Sequence, residues 1–232
     1  MSAEVIRTKR FVDDAAEFIV GLARASIAER GEFKVALSGG NTPRPVYQEW
    51  AWLGRDIPPD RFQITFGDER CVPPDHPDSN YRMACECLLE PAKIPNGSVL
   101  RMRGEMDPKP AAAEYETQLE TAAQQRRENI YRHDLMLLGM GDDGHTASLF
   151  PGTAAVDEVD RKVVANFVPK LDAWRLTMTY PLINASRCIC FLVNAAKNPE
   201  LVERVIKGDP QYPAARVNPT AGRLVWILGE AA

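Results

Sequence analysis

Short apolar runs rich in branched side chains alternate along the chain with longer segments in which apolar residues recur at helical spacing. The short runs predict buried parallel strands, because a strand covered on both faces lacks polar alternation; they cover residues 33–37, 62–66, 134–138, 163–167 and 188–193. The longer segments predict helices over residues 13–29, 43–53, 80–90, 110–128 and 199–207. This alternation predicts a three-layer α/β fold, with a mostly parallel sheet and helices on both faces.

The organisation of the chain predicts one domain over residues 1–232, because no internal repeat, low-complexity tract or Gly/Ser linker divides it. Hydrophobic residues make up 45% of the chain and charged residues 26%, a balance typical of globular proteins. The formal net charge is -4 and no run of lysine or arginine occurs, so we expect no nucleic-acid partner.

Residues 1–10 alternate charged and apolar side chains and lack the apolar core of a signal peptide. No stretch of the sequence approaches the length of a membrane span. We therefore expect a cytoplasmic protein without membrane contact.

The five cysteines include two Cys-x-Cys pairs, which raises the question of a metal site. Their odd number argues against a disulfide framework. Cys188 and Cys190 would share one face of a buried strand, whereas Cys85 and Cys87 would point to different sides of a helix. We therefore expect buried thiols and no metal.

A glycine-rich segment, called here the cradle loop, follows the first predicted strand; its residues are Ser38, Gly39, Gly40, Asn41 and Thr42. Pro43 suits the first position of the following helix, and Thr42 suits its N-cap. The two glycines let the backbone approach a ligand, and the helix end presents unpaired amides, so the segment predicts a phosphate site. A simple tight turn is the alternative. Ser38 is not expected to be a nucleophile, because Ala36 stands where the Gly-x-Ser-x-Gly elbow requires glycine.

Three charged residues follow the second predicted strand, in the segment Gly67-Asp68-Glu69-Arg70. Ligands of open α/β sheets bind outside the carboxyl ends of the strands, which makes this segment a candidate binding site. Arg70 can offer a planar fork to phosphate or carboxylate oxygens, and Asp68 can bind sugar hydroxyls or hold a neighbouring cation. A solvated charged turn is the alternative.

The segment 139–146 follows the third predicted strand, and its glycines match the dinucleotide-binding pattern G-x-G-x-x-G. However, Asp142 and Asp143 would lie where a pyrophosphate needs amides and no negative charge. Pro151-Gly152 also stops the following helix early. We therefore expect no nucleotide site here.

His145, in the same segment, is the best candidate for a general base. An imidazole beside a carboxylate on a glycine-rich loop can take a proton from water near neutral pH, and Asp143 could orient it. Of the other histidines, His76 lies in a proline-rich loop and His133 just before a strand. His145 therefore has the strongest catalytic context.

Taken together, these motifs resemble the 6-phosphogluconolactonase family; the matching segments are 38–43, 67–70, 79–81, 141–152, 175–179 and 194–197, in the order that the family shows. The resemblance spans essentially the whole chain. It implies the Rossmann-like fold of the sugar-phosphate isomerases and deaminases. It also implies hydrolysis of 6-phospho-D-glucono-1,5-lactone to 6-phosphogluconate, the second step of the oxidative pentose phosphate pathway, without a metal or organic cofactor.

The resemblance also implies roles for single residues. It assigns His145 as the base that activates water and Asp143 as its partner. Arg70 and Lys197 are expected to contact the ligand, and Arg175 is a further phosphate candidate. By themselves, the two cations in strand-like segments, Arg175 and Lys197, could instead pair with surface acids. Asn41 stands where the family more commonly carries serine, which leaves its side-chain contribution open and its backbone contribution unaffected.

Two alternatives remain at this stage. A glucosamine-6-phosphate deaminase or isomerase would share the fold, but those enzymes carry tyrosine and glutamate where this chain has Arg70 and Phe150. A non-catalytic sugar-phosphate sensor would keep the cradle loop and lose the base. The intact segment Asp143-Gly144-His145 argues against the sensor.

Overall fold

The computed structural model describes residues 3–230; residues 1, 2, 231 and 232, which belong to the predicted single domain, lie outside the described part. Within it, nine strands form two sheets. The strands are Glu4–Thr8 (β1), Phe33–Leu37 (β2), Phe62–Phe66 (β3), Asp68–Arg70 (β4), Leu135–Leu138 (β5), Val163–Val168 (β6), Ala173–Met178 (β7), Cys188–Asn194 (β8) and Arg223–Gly229 (β9).

Six α-helices connect these strands within residues 3–230. They are Phe11–Arg30 (α1), Pro43–Leu53 (α2), Asn80–Ala84 (α3), Pro108–Gln125 (α4), Tyr180–Ile183 (α5) and Pro199–Ile206 (α6). A π-helical turn, Cys85–Leu89, continues α3. No helix among the described residues is long and apolar enough to cross a membrane.

The larger sheet has six parallel strands in the order β1-β9-β8-β5-β2-β3. All five residues of β2 and all four of β5 are buried, as expected for strands covered on both faces. One hydrophobic core includes residues of α1 and α2, and the other includes residues of α4 and α6. The predicted three-layer, mostly parallel α/β fold is therefore confirmed.

The smaller sheet corrects one prediction. Residues 163–167 were expected to form a buried parallel strand, but β6 pairs antiparallel with β7, which also pairs antiparallel with β4. The connection between β6 and β7 is one short turn, Pro169–Leu171, followed by Asp172 in the left-handed region. A turn this short can join only antiparallel neighbours, because a parallel pair needs a long crossover.

The helix predicted over residues 80–90 is also only partly right. Its α-helical part ends at Ala84, and the next turn is π-helical, with the amide of Glu90 donating to the carbonyl oxygen of Cys85 at 3.1 Å. Three consecutive residues in this turn, Cys87, Leu88 and Leu89, are buried. Consecutive positions on an α-helix diverge by about 100°, so burying all three favours a locally wider turn.

The thiols of the β8 pair lie as expected. Cys188 and Cys190 are both buried, and burial raises the pKa of each. All five cysteines are free. Among residues 3–230, no group of three or more His, Cys, Asp or Glu side chains is placed to hold a metal ion.

Candidate active site

A cleft of about 240 Å³ opens at the carboxyl edge of the parallel sheet. The cradle loop lines it after β2, Asp68 and Arg70 line it after β3, and His145 lines it after β5. Lys197 enters the cleft from the turn Ala195–Lys197 after β8. The fold thus brings together residues that are up to about 160 positions apart in the sequence.

The cradle loop is held from below by a buried tyrosine of α2. The amide of Ser38 donates to Tyr47 Oη at 2.9 Å, and Tyr47 Oη donates to the carbonyl oxygen of Ser38 at 2.9 Å. Gly40 adopts a φ of +96°, a backbone conformation that favours glycine. Ser38 Oγ is buried in the cleft wall and has no hydrogen-bond partner among the described residues. A buried hydroxyl without a partner is unusual, which marks Ser38 as a candidate ligand contact.

Thr42 differs from its prediction. It occupies the position before the first residue of α2, but its backbone is already helical and its side chain makes no capping hydrogen bond. Pro43 takes the first helical position, as expected. The amides at this end of α2 are thus not capped by the threonine hydroxyl.

Asp68 is a buried wall of the cleft rather than a solvated charge. Its Oδ1 accepts from Asn80 Nδ2 at 3.2 Å and its Oδ2 accepts from Ser148 Oγ at 2.7 Å. The neighbouring Glu69 carboxylate accepts hydrogen bonds from the amides of Asn80 and Tyr81, both at 2.8 Å. These bonds join β4 to the start of α3.

Arg70 and Arg175 are paired residues of β4 and β7, but only Arg70 lines the cleft. Arg70 lines the cleft, and one of its guanidinium nitrogens donates to the carbonyl oxygen of Asp78 at 2.7 Å. Arg175 lies outside the cleft and lines a neighbouring cavity that it shares with Arg70. Burial and the charge of Arg70 lower the pKa of Arg175. Neither arginine forms an ion pair within residues 3–230.

His145 lies in a closely packed loop. Its ring stacks on Phe150, with centroids 4.0 Å apart and an interplanar angle of 22°. The other close neighbour is Gly141, where an added Cβ would lie 2.1 Å from His145 Cε1. The amide of Gly141 also donates to the carbonyl oxygen of His145 at 3.0 Å. The ring position thus depends on the absence of a side chain at residue 141.

Asp143 determines which ring nitrogen carries a proton. Its Oδ1 lies 2.5 Å from His145 Nδ1. Burial acts to raise the pKa of Asp143, but hydrogen bonds from His145 and Lys170 outweigh it and lower that pKa to about 2. The carboxylate is therefore ionised at neutral pH and can only accept, so Nδ1 must donate. Nε2 of His145, which lines the cleft, makes no hydrogen bond to the described residues. In the neutral form of the ring, the lone pair is on this nitrogen.

Comparison with known proteins identifies the family. The family model for glucosamine-6-phosphate isomerases and 6-phosphogluconolactonase matches residues 7–226. The chain belongs to this family. A 6-phosphogluconolactonase of Synechocystis sp. is 42% identical over 211 residues, which cover 89% of this chain and 86% of the relative. A 6-phosphogluconolactonase of Rattus norvegicus is 34% identical, over 88% of this chain and 80% of the relative.

The fold agrees with solved members of the same group. The crystal structure of 6-phosphogluconolactonase from Thermotoga maritima matches with a TM-score of 0.87 at 29% identity, over 99% of this chain and 100% of that chain. The structure of 6-phosphogluconolactonase from Trypanosoma brucei matches with a TM-score of 0.80 at 28% identity, over 98% of this chain and 95% of that one. The resemblance stated from the sequence motifs is thereby confirmed.

One residue at the site of this family member was not predicted. Lys170 Nζ lies 2.9 Å from Asp143 Oδ2, on the oxygen that His145 does not use. Lys170 belongs to the turn between β6 and β7, which the sequence places 27 residues beyond Asp143. No motif marks this lysine, because only the antiparallel hairpin brings it beside the loop that carries Asp143 and His145.

Proposed function

We propose that this protein hydrolyses 6-phospho-D-glucono-1,5-lactone to 6-phosphogluconate, with His145 as the general base. The observation that carries the proposal is the Asp143–His145 pair, joined at 2.5 Å and opening into the same cleft as the cradle loop. The names of the relatives support the substrate class. The reaction is the second step of the oxidative pentose phosphate pathway, and the proposed location is the cytoplasm.

The chemistry follows from the tautomer of His145. Because Nδ1 donates to Asp143, the lone pair of Nε2 can take a proton from water as the water oxygen attacks C1 of the lactone. Collapse of the tetrahedral intermediate breaks the bond between C1 and the ring oxygen, and the imidazolium returns its proton to that oxygen. The step is neutral overall and yields a carboxylic acid and a hydroxyl group, with no covalent enzyme intermediate.

The remaining residues of the cleft are proposed to bind and orient the substrate. The cradle loop, with its free Ser38 hydroxyl, is the proposed phosphate site, and Arg70 and Lys197 add positive charge to the same cleft. Asp68 is proposed to hold sugar hydroxyls. Arg175 is proposed to act only through its neighbour Arg70, since it lies outside the cleft. Binding the remote phosphate helps to place C1 beside His145.

Phe150 argues against the deaminase or isomerase alternative. Those enzymes carry a glutamate at this position, whereas here an aromatic ring stacks 4.0 Å from the imidazole of His145. No carboxylate can therefore assist ring opening from that side. Arg70, which stands where the isomerases carry tyrosine, lines the cleft as a cation. Both positions favour the lactonase.

The proposal is tested by mixing the protein with freshly made 6-phosphogluconolactone and following acid release. The wild-type protein should exceed the spontaneous rate by a wide margin, and His145→Ala should lose about 100-fold to 10,000-fold in kcat, the usual contribution of a general base. The variant should keep the wild-type circular dichroism spectrum.

Parallel assays separate the alternatives. Ammonia release from glucosamine 6-phosphate by the wild-type protein would support the deaminase. Binding of 6-phosphogluconate without lactone turnover above the background would support the sensor. Either result in place of lactonase activity would overturn the proposed function.

A further inference from the structure

The turn between β6 and β7 contacts the segment 139–146 through one residue. Its residue Lys170 keeps 66% of its side-chain surface exposed, yet its ammonium group donates to Asp143 Oδ2 at 2.9 Å. Asp143 is only 25% exposed and uses its other oxygen for both the ring and the amide of His145. One oxygen of the Asp143 carboxylate thus binds His145, and the other binds Lys170.

This sharing has an electrostatic consequence for the base. An ionised Asp143 alone stabilises the imidazolium form of His145, which would hold a proton on Nε2 and block its use as a base. A positive charge on the second oxygen of Asp143 offsets part of that effect. The hydrogen bond to Nδ1 is kept, so the orientation and tautomer of the ring are preserved.

We propose that Lys170 is a positioning residue of the active site, which acts through Asp143 to keep the imidazole of His145 unprotonated at lower pH. This inference rests on the proposed role of His145. It assigns a function to the β6–β7 hairpin, which contacts Asp143 through Lys170. The contribution is modest, because an exposed ion pair is screened by solvent.

Other charged or titratable groups line the cleft with His145 or pack against its loop. On the same loop lies Asp142, and the remaining groups lie on other elements: Asp68, Arg70, Lys197 and, packed against Gly144, Tyr212. All of them are unchanged in a Lys170 variant. A difference between variant and wild type therefore reports the loss of the lysine ammonium group, and titration of the substrate phosphate cancels in the same way.

The test compares Lys170→Met, which removes the charge at similar length, with Lys170→Arg, which keeps it. The first measurement follows the imidazole C–H resonances by NMR as the pH is varied, with the His145 signal assigned by its absence in His145→Gln. We expect Lys170→Met to raise the His145 titration midpoint by about half a pH unit and Lys170→Arg to restore it. Lys93→Met, beside the far end of α2, is the matched control and should not shift it.

The second measurement is the pH profile of kcat/KM with the lactone. At pH 5.5, Lys170→Met should fall about threefold below the wild type, whereas the two should agree at pH 8, where the base is unprotonated in both. Equal titration midpoints in Lys170→Met and the wild type, or an equal shift in Lys93→Met, would overturn the inference. Because the NMR titration needs no turnover, it decides the role of Lys170 even if the lactonase assay fails.

Discussion

At the scale of single residues, the site depends on what surrounds one imidazole ring. Phe150 stacks on one side of His145, and Asp143 holds its Nδ1 at 2.5 Å. Gly141 leaves the space that the ring edge occupies, since a Cβ there would lie 2.1 Å from Cε1. These neighbours leave the ring no room to move without losing a contact.

Replacement of Gly141 by alanine should therefore reduce activity without unfolding the protein. The new methyl group would push the imidazole away from Phe150 or Asp143, and a displacement of about 1 Å in a catalytic group can cost about 100-fold in rate. We expect a loss of that order in kcat for the lactone, measured together with the thermal unfolding midpoint.

Gly97→Ala is the matched control for this change. Gly97 lies in the short turn Asn96–Ser98, where an added Cβ meets no atom within 4 Å. The Gly97→Ala variant should keep the wild-type kcat. Full activity in Gly141→Ala would show that the ring position is not tied to the space at residue 141.

The sequence motifs were sufficient to nominate most of these residues. Asp143 and His145 are adjacent to a glycine pattern after an apolar strand, and that context is readable without a structure. Lys170 could not be predicted in this way, because a lone lysine in a turn forms no motif. Only the folded hairpin brings it beside Asp143. Arg175 shows the opposite case, since its motif suggested the substrate phosphate and the fold directs it into a separate cavity.

At the scale of elements, the short strand β4 links the binding residues to the rest of the sheet. Glu69 accepts from the amides of Asn80 and Tyr81 and from the hydroxyl of Ser79, so a buried carboxylate anchors the first turn of α3. Burial raises the pKa of Glu69 in spite of these bonds. The flanking residues Asp68 and Arg70 are thereby held at fixed positions in the cleft wall.

Whether a strand could be predicted from the sequence depends largely on how deeply it is buried. Strands β2 and β3 were predicted with correct bounds, because strands buried in the parallel sheet are mostly apolar; only Lys34 interrupts β2, and Gln63 and Thr65 interrupt β3. The edge strand β1 was not predicted, since its exposed side chains break the apolar pattern. Strand β9, which was also not predicted, is as apolar as its neighbour β8, so its composition does not explain the difference. The pairing direction of β6 could not be read from its composition.

At the scale of the whole molecule, a second polar cluster lies before the start of β5, away from the cleft. His133 is fully buried, with Nε2 2.9 Å from Thr65 Oγ1 and Nδ1 without a partner among the described residues. Burial, helped by the charge of Lys34, lowers the pKa of His133 to about 3. The folded protein therefore keeps this histidine neutral while an unfolded chain would protonate it below about pH 6.5.

This difference predicts a pH dependence of stability. Because the unfolded state binds the proton first, the free energy of unfolding should fall by about 1.4 kcal/mol per pH unit as the pH drops from 6.5 towards 3. Between pH 7.5 and pH 5.5, the wild-type protein should lose about 1.4 kcal/mol more than His133→Gln, measured by urea unfolding.

His76→Gln serves as the control, because His76 is exposed and should leave the wild-type pH dependence unchanged. If His133→Gln loses as much stability as the wild type over this range, the buried histidine is not the origin of the dependence.

The central claim concerns the whole cleft: one substrate spans the cradle loop and His145. A crystal structure of the protein with 6-phosphogluconate bound tests it most directly. The account predicts phosphate oxygens about 3 Å from the cradle-loop donors, including Ser38 Oγ, and the C1 carboxylate beside His145 Nε2. A phosphate bound in the cavity beside Arg175, or a C1 group remote from His145, would contradict it.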